Sequence, residues 1–143
     1  MEVLSKNPEE TRKLAAKLAA QIMEESNRTK AVVIGLEGEL GAGKTTFIQA
    51  FVRAMGINDK VKSPTFLLMK YYPFANGFIY HIDCYRINDP KELIALEIES
   101  IFNNPKNIVL IEWPERVNDI LPASMTRIHI DHISEQERKI TIS

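Results

Sequence analysis

A single cysteine, Cys84, occurs in the 143 residues of the chain. One thiol excludes an internal disulfide and offers no zinc spacing, so the fold has to rest on its own apolar core, and Cys84 reads as a small buried hydrophobe. A membrane-spanning apolar run is also lacking, and Met1-Glu2-Val3-Leu4-Ser5 has neither the basic start nor the apolar stretch of a secretory signal. A cytoplasmic location away from membranes is the expectation. Charge of one sign is missing too: 18 basic residues are spread among 19 acidic ones, for a net charge of −1, with no dense basic block. That excludes the broad electrostatic footprint by which a protein grips nucleic acid unaided, so a role in nucleic-acid metabolism would be exercised through partners. No repeat or low-complexity linker marks a boundary, and one domain over residues 1–143 is expected. At this length folding removes roughly 68–70% of the unfolded chain's surface from water, enough for a core without staples.

The order of elements carries the fold class. Asn7-Pro8-Glu9-Glu10 reads as a helix start, with an Asn cap, Pro in the first turn and acids favoured by the helix dipole. Leu14, Leu18 and Ile22, flanked by Ala15 and Ala19, form one apolar face, and the helix is expected to end near Asn27. Ala31 to Glu37 is an apolar run of strand length, as in a strand buried on both faces. A glycine-rich turn follows, and from Lys44 to Met55 the residues Phe47, Ile48, Phe51, Val52 and Met55 recur at helical spacing until Gly56 stops the helix. Further strands are expected at Phe66–Tyr72, Phe78–Asp83 and Asn107–Glu112, with a helix between Pro90 and Phe102. Thr126–Asp131 and Arg138–Ile142 alternate about the polar turn Ser134-Glu135-Gln136-Glu137, which predicts a hairpin. The sum is a three-layer α/β domain, a mixed sheet with a parallel core and added antiparallel strands. Strand order does not follow from these patterns.

Gly38-Glu39-Leu40-Gly41-Ala42-Gly43-Lys44-Thr45 fits G-x-x-x-x-G-K-[ST] at every fixed position, between a strand and a helix. The glycines let the loop bend so that successive N–H groups face phosphate oxygens, and the helix that follows adds its N-terminal dipole. In this reading Glu39, Leu40, Gly41, Ala42, Gly43, Lys44, Thr45 and Thr46 hold a nucleotide, Lys44 reaches the outer phosphates and Thr45 places its hydroxyl on magnesium. No Asn-Lys-x-Asp guanine-reading motif occurs, which leaves ATP with Mg²⁺ by elimination.

A P-loop enzyme also needs a carboxylate at a neighbouring strand end, to serve the magnesium shell or to orient a water. Ile108-Val109-Leu110-Ile111-Glu112 has the layout of a Walker B strand, and Ile79-Tyr80-His81-Ile82-Asp83 also ends in an acid, though His81 breaks its apolar run. The residues alone do not rank Asp83 against Glu112. Ser63-Pro64-Thr65 sits where switch-type loops carry a hydroxyl toward magnesium, and equally reads as a plain loop. Trp113 fits stacking on a base, a partner surface or core packing, and Arg86 and Arg116 fit either phosphate neutralisation or surface pairing. His81 reads as structural rather than as a general base.

Four segments together resemble one family, the bacterial tRNA threonylcarbamoyladenosine biosynthesis ATPase TsaE, also called YjeE. They are Gly38 to Thr46, Val61-Lys62-Ser63-Pro64-Thr65-Phe66, His81-Ile82-Asp83-Cys84-Tyr85-Arg86 and Ile111-Glu112-Trp113-Pro114-Glu115-Arg116. The resemblance implies a modified P-loop NTPase-like fold and an ATP-binding, slowly ATP-hydrolysing, Mg²⁺-dependent subunit. Acting with TsaD and TsaB, it serves the attachment of threonylcarbamoyl to the adenosine beside the anticodon, and meets tRNA through that complex. By matching position it implies that Lys44 binds phosphate, Thr45 and Glu112 serve magnesium, Thr65 acts in the switch-like loop, Asp83 is an essential acid near the phosphates, and Trp113 lies by the nucleotide. Two residues depart from the family pattern: Cys84 replaces an aliphatic or small residue, and Glu97 stands where glycine is common. A small-molecule kinase and a non-hydrolysing nucleotide-gated adaptor are the rival readings of the same loop. The kinase would need a lid, and no arginine-rich lid segment is visible.

Overall fold

The computed structural model describes residues 1–25, 27–58, 61 and 68–143. The Ser63-Pro64-Thr65 segment, and with it the role expected of Thr65, lies outside the described residues, as do the first two positions of the strand expected from Phe66. The strands described are β1 (Glu2–Ser5), β2 (Val32–Glu37), β3 (Met69–Phe74), β4 (Gly77–Asp83), β5 (Ile108–Glu112), β6 (Thr126–His132) and β7 (Arg138–Ile142). The helices are α1 (Pro8–Glu24), α2 (Lys44–Ala54), α3 (Lys91–Ile94) and α4 (Ile98–Phe102), and Pro114–Ile120 is a 3-10 segment.

One sheet holds all these strands in the order β1-β7-β6-β2-β5-β4-β3. Its centre, β6-β2-β5-β4, is parallel. The antiparallel additions are β3 on one side and β7 and β1 on the other. Because side chains alternate across a strand, the apolar runs of the central strands supply both faces at once. Ile34, Leu36, Ile108 and Leu110 join the core formed with α1 and α2, while Val33, Val109 and Ile111 join the one formed with Leu93, Ile98, Ile101 and Val117. Helices thus cover both faces, giving the three layers expected, in a mixed α/β sheet.

That alternation decides where the polar strand ends fall. Ile79 shares the α1/α2 core with Ile108 and Leu110. His81 and Asp83, two and four residues beyond Ile79, and Glu112, two beyond Leu110, therefore belong to the α2 side of the sheet, and Asp83 pairs in register with Glu112. All three sit toward the C-terminal ends of parallel strands, beside the loop that leaves β2.

Local chemistry explains the boundaries. The Asn7 side chain accepts the Glu10 N–H at 3.0 Å, and Pro8 opens α1. α1 stops at Glu24, short of Asn27, where Glu25 turns to an extended conformation. The expected helix between Pro90 and Phe102 is divided into α3 and α4 by Glu97, whose φ of 58° and ψ of 39° lie in the left-handed region. This is the position at which the family resemblance favours glycine, and the structure gives the reason. A side chain there costs roughly 1–2 kcal/mol, and glycine gives back about 0.5–1 kcal/mol of that in unfolded-chain entropy. Glu97→Gly is therefore expected to stabilise the fold by about 0.5 kcal/mol and to raise the thermal midpoint by roughly 2 °C. A thermal melt in which the variant unfolds at or below the wild-type midpoint contradicts this.

Cys84 is fully buried, and burial, followed by the negative charges of Asp83, Glu115 and Glu112, pushes its thiol up to about 12. It is a neutral space-filler at ordinary pH, as the sequence reading had it. β1 and the 3-10 segment have no counterpart among the expected elements.

Candidate functional site

The loop after β2 is shaped by two glycines. At Gly38 φ is +148°, and a Cβ there would lie 2.6 Å from the Ile130 carbonyl oxygen of β6, so the loop can cross its neighbouring strand only without a side chain. Gly43 has φ of 108° in the left-handed region and caps α2 without any side-chain hydrogen bond. The N–H groups of Gly41 and Gly43 make no hydrogen bond among the described residues, whereas Ala42 N–H donates to Glu39 O at 3.0 Å. Unspent amides at the head of an 11-residue helix are the physical requirement for anion binding.

Lys44 opens α2 and is buried, 5% exposed. Its Nζ donates to Gly38 O at 2.6 Å and stands 3.9 Å from the centroid of the Trp113 ring. Burial lowers its pKa from 10.5; the negative charges of Glu112, Asp83 and Glu115 partly oppose that shift. The fold thus holds a desolvated ammonium beside carboxylates, a placement that costs stability and that a polyanion would relieve.

The acids differ in how they are held. Glu112, 5% exposed, accepts from or shares a proton with His81 Nε2 at 2.8 Å, so a buried imidazole fixes one carboxylate oxygen. His81 Nδ1 has no partner among the described residues, which fits Nε2 carrying the proton and donating to Glu112. Asp83 Oδ1 accepts the Tyr85 N–H at 3.0 Å and is less buried. Trp113 follows Glu112 directly in the left-handed region, φ 59° and ψ 51°, a strained position for a bulky residue. Its ring lies 5.0 Å from that of Tyr85, over which Arg116 sits at 5.8 Å.

A cavity of about 480 Å³ brings together Leu40, Gly41, Gly43, Lys44, Thr45, Thr46, Asp83, Glu112 and Trp113, with Tyr85, Arg86 and Arg138 completing its walls. Glu39 lies instead on a neighbouring cavity of about 410 Å³, behind Trp113 and against β6. Ala42 turns its side chain inward, 2% exposed, so only its backbone can serve a ligand. Arg86 reaches the cavity, whereas Arg116 is engaged with Tyr85. Glu115, also behind Trp113, is pushed above the usual carboxylate range by desolvation and by the charge of Glu37. Arg138 escaped the sequence reading, because at the start of an alternating strand it looks like an ordinary solvent-facing residue.

No group of three or more His, Cys, Asp or Glu among the described residues is arranged to hold a metal by itself. Thr45, exposed at the cavity, and Glu112 together provide a hydroxyl and a carboxylate, a hard-oxygen donor set that fits a Mg²⁺ completed by phosphate and water oxygens.

The family model described as threonylcarbamoyl adenosine biosynthesis protein TsaE matches residues 5–140. The Haemophilus influenzae tRNA threonylcarbamoyladenosine biosynthesis protein TsaE is 40% identical over 116 residues, spanning 81% of this chain and 73% of that protein. The Bacillus subtilis protein of the same name is 37% identical over 137 residues, spanning 96% and 81%. The crystal structure of Bacillus subtilis YdiB aligns with a TM-score of 0.77 at 31% identity, over 99% of this chain and 83% of that one.

Proposed function

This chain belongs to the TsaE family of threonylcarbamoyl adenosine biosynthesis proteins, and we propose that it is the ATP-binding and ATP-hydrolysing subunit of that tRNA-modification pathway. The observation that carries the reading is the convergence on one cavity of Lys44 and Thr45 from the helix after β2 and of Asp83 and Glu112 from the ends of the parallel strands β4 and β5.

In this reading Lys44 and the amides of the Gly38–Thr45 loop bind the phosphate chain and stabilise the charge that develops on its terminal group. Thr45 and Glu112 would hold Mg²⁺, which supplies charge neutralisation at the outer phosphates. His81 fixes the Glu112 carboxylate, so that its free oxygen is presented in one orientation. Asp83 or Glu112 accepts a hydrogen bond from the water that displaces the ADP leaving group. Trp113 walls the site beside Lys44 and limits water around the ammonium.

TsaD and TsaB homologues are the proposed partners, with tRNA met through that complex in the cytoplasm. A net charge of −1 without a dense basic block supports indirect contact with tRNA. No helix among the described residues is long and apolar enough to cross a membrane. The test is phosphate release from ATP by the chain alone and with purified TsaD and TsaB homologues, combined with co-elution. A slow rate alone that rises when both partners are present, with one co-eluting complex, is expected. Release that stays at background with the partners present contradicts hydrolysis and leaves a nucleotide-gated adaptor.

A further inference from the structure

Arg138 is the first residue of β7, and its guanidinium reaches back across the sheet to the phosphate loop. Nε donates to Ala42 O at 2.8 Å, and Nη1 donates to Ser134 O at 2.7 Å and to Glu137 O at 2.8 Å, with a longer contact to Glu135 O at 3.4 Å. All of these acceptors are neutral carbonyls. Among the described residues Arg138 makes no ion pair. Glu137, its neighbour in sequence, has a carboxylate oxygen occupied by the Ser134 hydroxyl at 3.0 Å.

An arginine carries five N–H donors and a permanent charge. Here Nε and Nη1 are held by loop and turn carbonyls, while Nη2 makes no hydrogen bond among the described residues. The side chain forms part of the wall of the cavity that holds Lys44, Thr45 and Thr46, and its Nε would lie 3.7 Å from a Cβ on Gly43. Arg86, on the same cavity, is exposed and has no comparable anchors among the described residues. Thus one guanidinium is fixed in place by carbonyls that leave its charge uncompensated, with two donors to spare, beside the loop that opens α2. A second cation on the wall of the cavity that holds Lys44 adds to its attraction for a multiply charged anion.

We propose that Arg138 is a nucleotide-binding residue: the C-terminal hairpin contributes a pre-anchored guanidinium whose Nη2 donors and charge act on the phosphate chain from the side opposite Asp83 and Glu112. The inference rests on the ATP-binding reading above and adds the hairpin to the binding machinery. It also gives the turn Ser134–Glu137 a purpose, since three of its carbonyls orient the side chain. A brace that only tied the hairpin to the loop would need the Nε bond to Ala42 and no cavity-facing charge.

Calorimetric titration with MgATP and MgADP at low and high NaCl separates the two roles, using wild type, Arg138→Gln, Arg138→Lys and, as reference, Lys44→Ala. Losing a charge-assisted pair predicts that Arg138→Gln weakens ATP binding by roughly tenfold or more at low salt, and ADP binding by less. Screening shrinks the deficit at high salt, and Arg138→Lys recovers part of the affinity. Wild-type ATP affinity in Arg138→Gln, alongside loss in Lys44→Ala, overturns the inference and spares the phosphate loop. A deficit that is equal at both salt concentrations, accompanied by a lowered thermal midpoint, also overturns it in favour of a brace. Failure of the wild type itself to bind MgATP removes the reading on which the inference rests.

Discussion

Lys44→Ala is expected to weaken ATP binding at least ~100-fold, because the ammonium supplies two or more hydrogen bonds to charged oxygens, each contributing about 1.5–3 kcal/mol. The same substitution is expected to leave the thermal midpoint within a few degrees of wild type. Burial lowers the pKa of Lys44 from 10.5, so the folded state disfavours its charged form at neutral pH. That penalty is lifted as pH rises through the lowered value toward 10.5, and it is lifted altogether in the alanine variant. Against this relief stand the lost bond to Gly38 O and the lost contact with Trp113. The two sides oppose each other, so binding is expected to collapse while the fold persists. Calorimetry and a thermal melt on the same preparation check both halves. An affinity within a few-fold of wild type removes Lys44 from the site.

Glu112→Gln has the second large effect expected. Glutamine keeps the shape of the side chain and an oxygen that can still accept the His81 Nε2 proton, so the buried pair survives as a hydrogen bond. What disappears is the charge, and with it both the affinity for a hard cation and the ability to orient a water as a base. Turnover should fall by at least ~100-fold, the scale of removing one preorganised electrostatic contact in a phosphoryl-transfer site. ATP binding should change far less, since the loop amides and Lys44 remain. Single-turnover phosphate release read beside the binding constant separates the two effects. Wild-type turnover would pass the assignment to Asp83, which sits in register with Glu112 on β4.

The parts of this site that sequence alone revealed are those written in consecutive residues. The loop declares itself through Gly38, Gly43, Lys44 and Thr45 because backbone bending and phosphate approach restrict those positions locally. The strands ending in Asp83 and Glu112 declare themselves by an apolar run that stops at an acid. The parallel core and the C-terminal hairpin followed from the same periodicities, and the helices on both faces followed from apolar runs with no polar side to spare.

What stayed hidden depends on partners distant in the chain or on backbone conformation. His81 meets Glu112 across 31 residues, and Arg138 meets Ala42 across 96. Neither pairing leaves a mark in its own neighbourhood, so His81 read as structural without a named partner and Arg138 was not singled out. Strand order is non-local in the same sense, since register arises only once β2 sits between β5 and β6. The left-handed backbone of Trp113 has no local signature either, because a bulky residue before proline gives no warning of it. Glu97 is the partial exception: its glycine-favouring position marked an unusual backbone, though not the division of the helix into α3 and α4.

Every role proposed for the site requires the Gly38–Thr45 loop to receive a polyphosphate, and isothermal titration of the wild-type chain with ATP in the presence of Mg²⁺ measures that event itself. Saturable heat with one site per chain is the predicted result. No heat of association for ATP or ADP, from protein shown to be folded, would contradict it.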